Sequence, residues 1–143
     1  MVELAMSIFV LLAITFGITE FGRAIYEYNT LAKAARDATR YLSMRDTLEP
    51  ATRNQAICLV VHGNPSCSGA PLLAGLTASM VSICDPVACA ADHAAQGSAP
   101  VVNLVTITIG GPKAAPYTFT SVASFIVPDI VFGPISVTMK QVL

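Results

Sequence analysis

The sequence predicts an α+β protein: a long N-terminal helix, apolar in its lower half and amphipathic in its upper half, packed on a small antiparallel β-sheet head with a second short helix. Three observations lead there. Residues 4–19 (LAMSIFVLLAITFGIT) form an uncharged apolar run. Residues 20–44 continue with good helix formers and no proline. Beyond Pro50 the pattern changes to β-like runs separated by Gly and Pro, and the four cysteines all fall there.

The composition bounds what such a chain can do. With 143 residues, a membrane-like segment at the start leaves room for one modest head. Charged residues make up 12% of the chain, about half the usual share of a soluble domain, so much of the surface must meet something other than water. Net charge is −1 and Trp is absent, which supplies no basic field for nucleic acid. Six of the eight Lys and Arg residues lie between Arg23 and Arg53, and only Lys113, Lys140, Asp85, Asp92 and Asp129 follow. The second half therefore reads as an interior facing outward, to be covered by neighbouring copies or shielded by modification of its Ser and Thr side chains.

The first element is the apolar run, expected over residues 1–19. It is hydrophobic around the whole helix, so it needs burial on every side. Its 16 residues rise about 24 Å, which suits a tilted anchor, a buried helix or the apolar core of a signal peptide. The flanks separate these. A secretory signal starts with Lys or Arg and ends at a small-residue cleavage site, whereas this run follows Glu3 and ends in Glu20-Phe21-Gly22-Arg23. It is expected to be retained.

The second element, over residues 20–46, continues the same helix. Phe21, Ile25, Tyr28, Leu31, Ala35, Ala38 and Leu42 recur at spacings of three and four, which predicts one apolar stripe against the head. Glu20 with Arg23 and Lys33 with Asp37 stand at intrahelical pairing distance on other faces. For Glu20 and Arg23 an intrahelical pair at the membrane boundary is preferred over an intersubunit pair. Gly17 and Gly22 are the points where a bend costs least, and they are also expected to serve helix packing. Ala32, Ala34, Ala35 and Ala38 allow close helix approach, although Ala is also simply the best helix former.

The stretch VELAMSIFVLLAITFGITEFGRAIYEYNTLAKAARDATRYLSM resembles the N-terminal region of TadE-like pilins of the tight-adherence system, relatives of type IV pilins. The matching pieces are Val2-Glu3, the apolar run, Gly17-Ile18-Thr19-Glu20-Phe21-Gly22-Arg23-Ala24, Asn29, Ala34-Ala35-Arg36 and Arg40-Tyr41. The resemblance covers about a third of the chain directly. It implies a leader cut by a prepilin peptidase before a mature N-terminus that carries an acidic residue near position five, and Glu3 takes that place. The chain departs from the pattern in showing no leader glycine before Val2, which fits a processed product or a shifted peptidase register.

A carboxylate at the tip of a lipid-like helix costs several kcal/mol unless it is paired, so Glu3 implies a partner. The resemblance points to the N-terminal amine of a neighbouring subunit, a contact that would set axial register because a misplaced helix leaves two unpaired charges in a dry core. The plainer alternative places Glu3 at the headgroup level, stabilising the helix N-terminus electrostatically.

The head is expected over residues 50–143. Glu49-Pro50 closes the rod, since the residue before Pro is pushed away from helical geometry. Residues 51–62 predict a second helix ending at Gly63. Strands are expected over residues 79–84, 101–109 and 135–142, with a weaker one around 117–127, and residues 85–100 read as an exposed loop. Cys58, Cys67, Cys84 and Cys89 form an even set, read as two disulfides; local pairing, Cys58 with Cys67 and Cys84 with Cys89, is the simplest of three connectivities. Zinc binding and free thiols are the competing readings, and the spacing lacks the paired knuckles of a zinc site.

No nucleophile, metal or phosphate-loop motif occurs, and His62 and His93 read as surface or loop residues. Cys58 and His62 share a helix-face spacing suited to a nucleophile pair, but a disulfide half beside a surface imidazole is the ordinary reading. The expectation is a non-enzymatic structural subunit without metal or cofactor. It waits in the inner membrane lipid, is extracted by the pilus assembly machinery, and polymerises with copies of itself into a helical extracellular filament for adhesion and surface attachment. The alternative is a membrane-anchored extracytoplasmic binding or adhesin module that never polymerises.

Overall fold

The computed structural model describes residues 2–94 and 102–142. Helix α1 (Val2–Ser43) is one uninterrupted element of 42 residues, about 63 Å long. No break falls at residues 19–20, and Gly17 and Gly22 lie within the helix. It stops at Ser43, short of the expected 46. The Arg45 N–H closes the last turn on the Leu42 carbonyl at 3.2 Å, and the Asp46 Oδ1 then accepts the Leu48 N–H at 2.8 Å, a local turn that competes with further helix.

Helix α2 (Pro50–His62) begins with proline in its first turn, where the missing N–H costs nothing. It ends at Gly63, whose left-handed φ of 73° lets its N–H cap the Leu59 carbonyl at 3.1 Å. A 3-10 turn (Ala78–Met80) leads into β1 (Val81–Cys84), followed by the short α3 (Ala90–His93), β2 (Leu104–Ile109), β3 (Thr118–Phe119), β4 (Ile130–Val131) and β5 (Ile135–Lys140). Strands β1, β2 and β5 form an antiparallel sheet in that order, with Ile107 opposite both Ile83 and Val137. Strands β3 and β4 form a separate antiparallel pair.

The upper half of α1 packs against α2, β2 and β5. Val105, Ile107 and Ile109 point one way from β2 and are buried with Leu31, Ala35, Ala38 and Leu42 of α1 and with Ala56 and Val60 of α2. The period-2 alternation of the strand meets the 3.6-residue stripe of the helix, which is the α+β arrangement the patterning predicts. On the other face of the sheet, hydroxyls pair across strands: Thr106 with Thr138 at 2.7 Å and Thr108 with Ser136 at 2.6 Å.

Several expected elements differ. Residues 79 and 80 belong to the 3-10 turn, because the Met80 N–H returns to Thr77 O at 3.1 Å. The strand expected from 101 begins at Leu104, and the one expected to reach 142 ends at Lys140, after which the Val142 N–H turns to Ser43 O at 2.8 Å. Residue 101 lies outside the described residues. The weak strand around 117–127 shrinks to β3, since the Ile126 and Val127 N–H groups fold back on Ala123 O at 2.8 and 3.0 Å.

The stretch read as an exposed loop, 85–100, is the largest correction. Asp85 is fully buried and pairs with Arg53 of α2, while its Oδ1 accepts the Val87 and Ala88 N–H groups at 3.1 and 2.7 Å. His93 sits on α3 with Nε2 2.7 Å from Thr106 Oγ1, so its ring lies against the sheet instead of in an open loop. Residues 95–100 lie outside the described residues.

Candidate functional site

The lower half of α1 has almost no cover from its own chain. Leu4, Met6, Ile8, Phe9, Val10, Leu11, Leu12, Ile14, Phe16 and Ile18 are 46–72% exposed and point in every direction around the helix. Its hydroxyls are satisfied internally: Ser7 donates to Glu3 O at 2.8 Å, Thr15 to Leu12 O at 2.9 Å and Thr19 to Thr15 O at 2.8 Å. A surface whose polar groups are consumed by its own backbone suits hydrocarbon or a dry helix bundle. Among the described residues this is the one helix long and apolar enough to cross a membrane.

Glu3 lies exposed at the far end, and among the described residues no donor or cation reaches its carboxylate. A Cβ built on Gly17 or Gly22 would meet nothing within 4 Å, so neither glycine serves a close approach within this chain. Ala34, Ala35 and Ala38 are buried where α1 meets the head, and Ala32 packs on the same core.

At the upper end of the apolar run the chain builds a polar junction. Glu20 is 5% exposed, and Arg23 Nη1 donates to both its carboxylate oxygens at 3.1 and 2.9 Å. Arg23 Nη2 also stands 4.0 Å from Glu27, and its guanidinium lies 5.2 Å from the centre of the Phe119 ring. From the head, the Val122 N–H approaches Glu20 Oε2 at 3.4 Å and the Tyr117 hydroxyl donates to Glu27 Oε2 at 2.8 Å. Burial, reinforced by the adjacent Glu27 carboxylate, pushes the Tyr117 phenol well above its ordinary range.

This junction shifts the packed face of α1. Phe21, Ile25 and Tyr28, expected in the buried stripe, stay exposed, and the residues one position earlier, Glu20, Ala24 and Glu27, turn to the head. The cause is the descent of residues 117–122 along the face that carries the charges. Tyr117, Phe119, Val122 and Glu27 were missed by the sequence reading. Only Glu27 left a local signal, its i,i+4 spacing from Arg23.

The structure pairs Cys58 with Cys67 and Cys84 with Cys89. The second pair lies with His93 in a cluster whose potential ligand atoms fall within 4.8 Å of one another. With the sulfurs joined there is no thiolate to bind a metal, and the His93 imidazole is engaged with Thr106 Oγ1. Cys58 is likewise paired, so it offers no nucleophile to His62, whose Nδ1 lies 3.1 Å from Gly69 O.

The family model described as TadE-like protein matches residues 1–40, the apolar run and most of the amphipathic continuation. Over that stretch the chain is similar to TadE-like proteins, a pilus-associated family, and the matched helix is the one that is long and apolar enough to cross a membrane. No curated protein and no solved structure matches the chain.

Proposed function

We infer that this TadE-like chain is a filament subunit, held in the inner membrane by the lower half of α1 until an assembly machine extracts it and packs that half among identical helices in an extracellular fibre. The uncovered apolar rod carries this reading. Ten large apolar side chains between Leu4 and Ile18 stand exposed; leaving them in water would cost on the order of 10–20 kcal/mol, as much as the net stability of a whole domain. Lipid and a bundle of like helices both remove that cost, and exchanging one for the other loses little. Assembly specificity then has to come from packing, from head surfaces and from Glu3.

In the filament, Glu3 pairs with the N-terminal amine of a neighbouring copy and sets axial register. The test is Glu3→Ala in the producing cell, read by fractionation, negative-stain imaging of sheared surface material, and mass spectrometry of the subunit. Normal membrane insertion with loss of fibres supports the reading. Fibres assembled as before would remove Glu3 from it. If the protein never leaves the membrane and a helix-truncated head retains its function, the chain is a non-polymerising module instead.

A further inference from the structure

The head carries an apolar tip whose position is set by its contacts with α1. Between Tyr117 and Val122 the chain runs antiparallel to the helix and meets it at successively lower levels: Tyr117 touches Glu27, Phe119 covers Arg23, and the Val122 N–H reaches Glu20. Strand β3 then pairs antiparallel with β4, so residues 120–129 are the connection at the bottom of this ribbon. That connection lies beside Glu20, where the uncharged run of α1 ends.

Its side chains are those of a surface meant for an apolar medium. Val122 is 80% and Phe125 82% exposed, the largest exposures among the large hydrophobic residues of the described chain. The turn that presents Phe125 is closed by the Ile126 and Val127 N–H groups on Ala123 O. The connection has a single charge, Asp129, whose Oδ1 accepts the Ser121 N–H at 2.9 Å. At the same level α1 exposes Phe21, and Tyr26 stands exposed about 9 Å above Glu20 along the helix; both are residue types that gather at a membrane–water boundary.

We propose that residues 120–129 form a second membrane contact, inserting Val122 and Phe125 into the headgroup and acyl boundary beside α1 and so fixing the head upright on the bilayer. The occupant is lipid, because the tip is continuous with the apolar surface of the lower helix and lies at the depth where that surface meets the Glu20–Arg23–Glu27 charges. Two contacts, a helix and a side wedge, restrain the tilt of the head, which a single spanning helix leaves free. The inference rests on the membrane-anchored part of the functional reading.

The chain has no Trp, so single Trp substitutions report one place at a time. Full-length protein would be reconstituted in vesicles with and without lipids brominated along the acyl chain. The variants are Phe125→Trp, Val122→Trp as a second reporter of the tip, Phe9→Trp in the lower helix, and Val87→Trp, which borders the groove at the opposite end of the head with Leu48. The expected result is blue-shifted emission and loss of most fluorescence to brominated lipid for the tip and for Phe9→Trp, with neither at Val87→Trp. Quenching at Phe9→Trp with both tip reporters emitting like Val87→Trp overturns the wedge and leaves the anchor intact. Blue-shifted but unquenched tip reporters also overturn it, since a protein copy then covers the tip. An unquenched Phe9→Trp removes the anchored reading itself.

Discussion

Arg23 holds two acidic residues of α1 and one aromatic ring of the head, so its removal should loosen the head from the rod at one place. In Arg23→Ala the Glu20 carboxylate stays buried with only the distant Val122 N–H for company. Breaking a fully buried pair costs about 3–5 kcal/mol. Here the Glu20 side chain is 6% exposed but that of Arg23 is 41% exposed, and solvent screening on the Arg23 side brings the estimate to about 2 kcal/mol. Loss of the guanidinium over Phe119 adds about 0.5–1 kcal/mol. The sum, about 2.5–3 kcal/mol, corresponds to about a hundredfold increase in local opening. Amide hydrogen exchange of the full chain in micelles reads it directly. Residues 117–131 should lose protection while β2 and β5 keep theirs. The double variant Glu20→Gln, Arg23→Met, which leaves no buried charge, should recover much of the loss. A rise of less than about fivefold in Arg23→Ala, or an equal loss in the double variant, would show that the junction contributes little and that apolar packing of the ribbon holds it in place.

Three further outcomes follow from the same physics. Asp85→Ala deprives Arg53 of its partner and the Val87 and Ala88 N–H groups of their acceptor; a loss of about 2–4 kcal/mol is expected, and thermal unfolding followed by near-ultraviolet circular dichroism should show Asp85→Asn suffering less, because its Oδ1 still accepts. The Tyr117 phenol is raised above its unfolded value near 10, so the stabilisation it provides is intact below that pH and falls above it by up to about 1.4 kcal/mol per pH unit; alkaline unfolding should be less steep in Tyr117→Phe. Reduction and alkylation of the Cys58–Cys67 and Cys84–Cys89 bridges, which close short loops, should cost about 2–2.5 kcal/mol each and lower the unfolding midpoint by about ten degrees or more. An unchanged midpoint after verified alkylation would mean that the head core suffices without them.

What sequence alone determined is what neighbouring residues settle among themselves. An unbroken run of helix formers specifies α1, and the absence of charge from residues 4–19 dictates that its lower half must be covered by something other than water. Pro50 and Gly63 mark α2, and the alternation of Val105, Ile107 and Ile109 marks the buried face of the central strand. The similarity to TadE-like proteins was also legible there, since the matched residues 1–40 lie almost wholly in that helix. Tertiary structure decided which face of the rod the head would take. Tyr117 meets Glu27 across 90 positions and Val122 meets Glu20 across 102, and those contacts turn Glu20 inward while leaving Phe21, Ile25 and Tyr28 outside. Asp85 is buried for the same kind of reason, a partner 32 residues away on α2. Periodicity reports that a helix has an apolar side. Where charged residues border that side, the choice of covered face depends on which distant donors and rings arrive, and that information exists only once the chain has closed on itself.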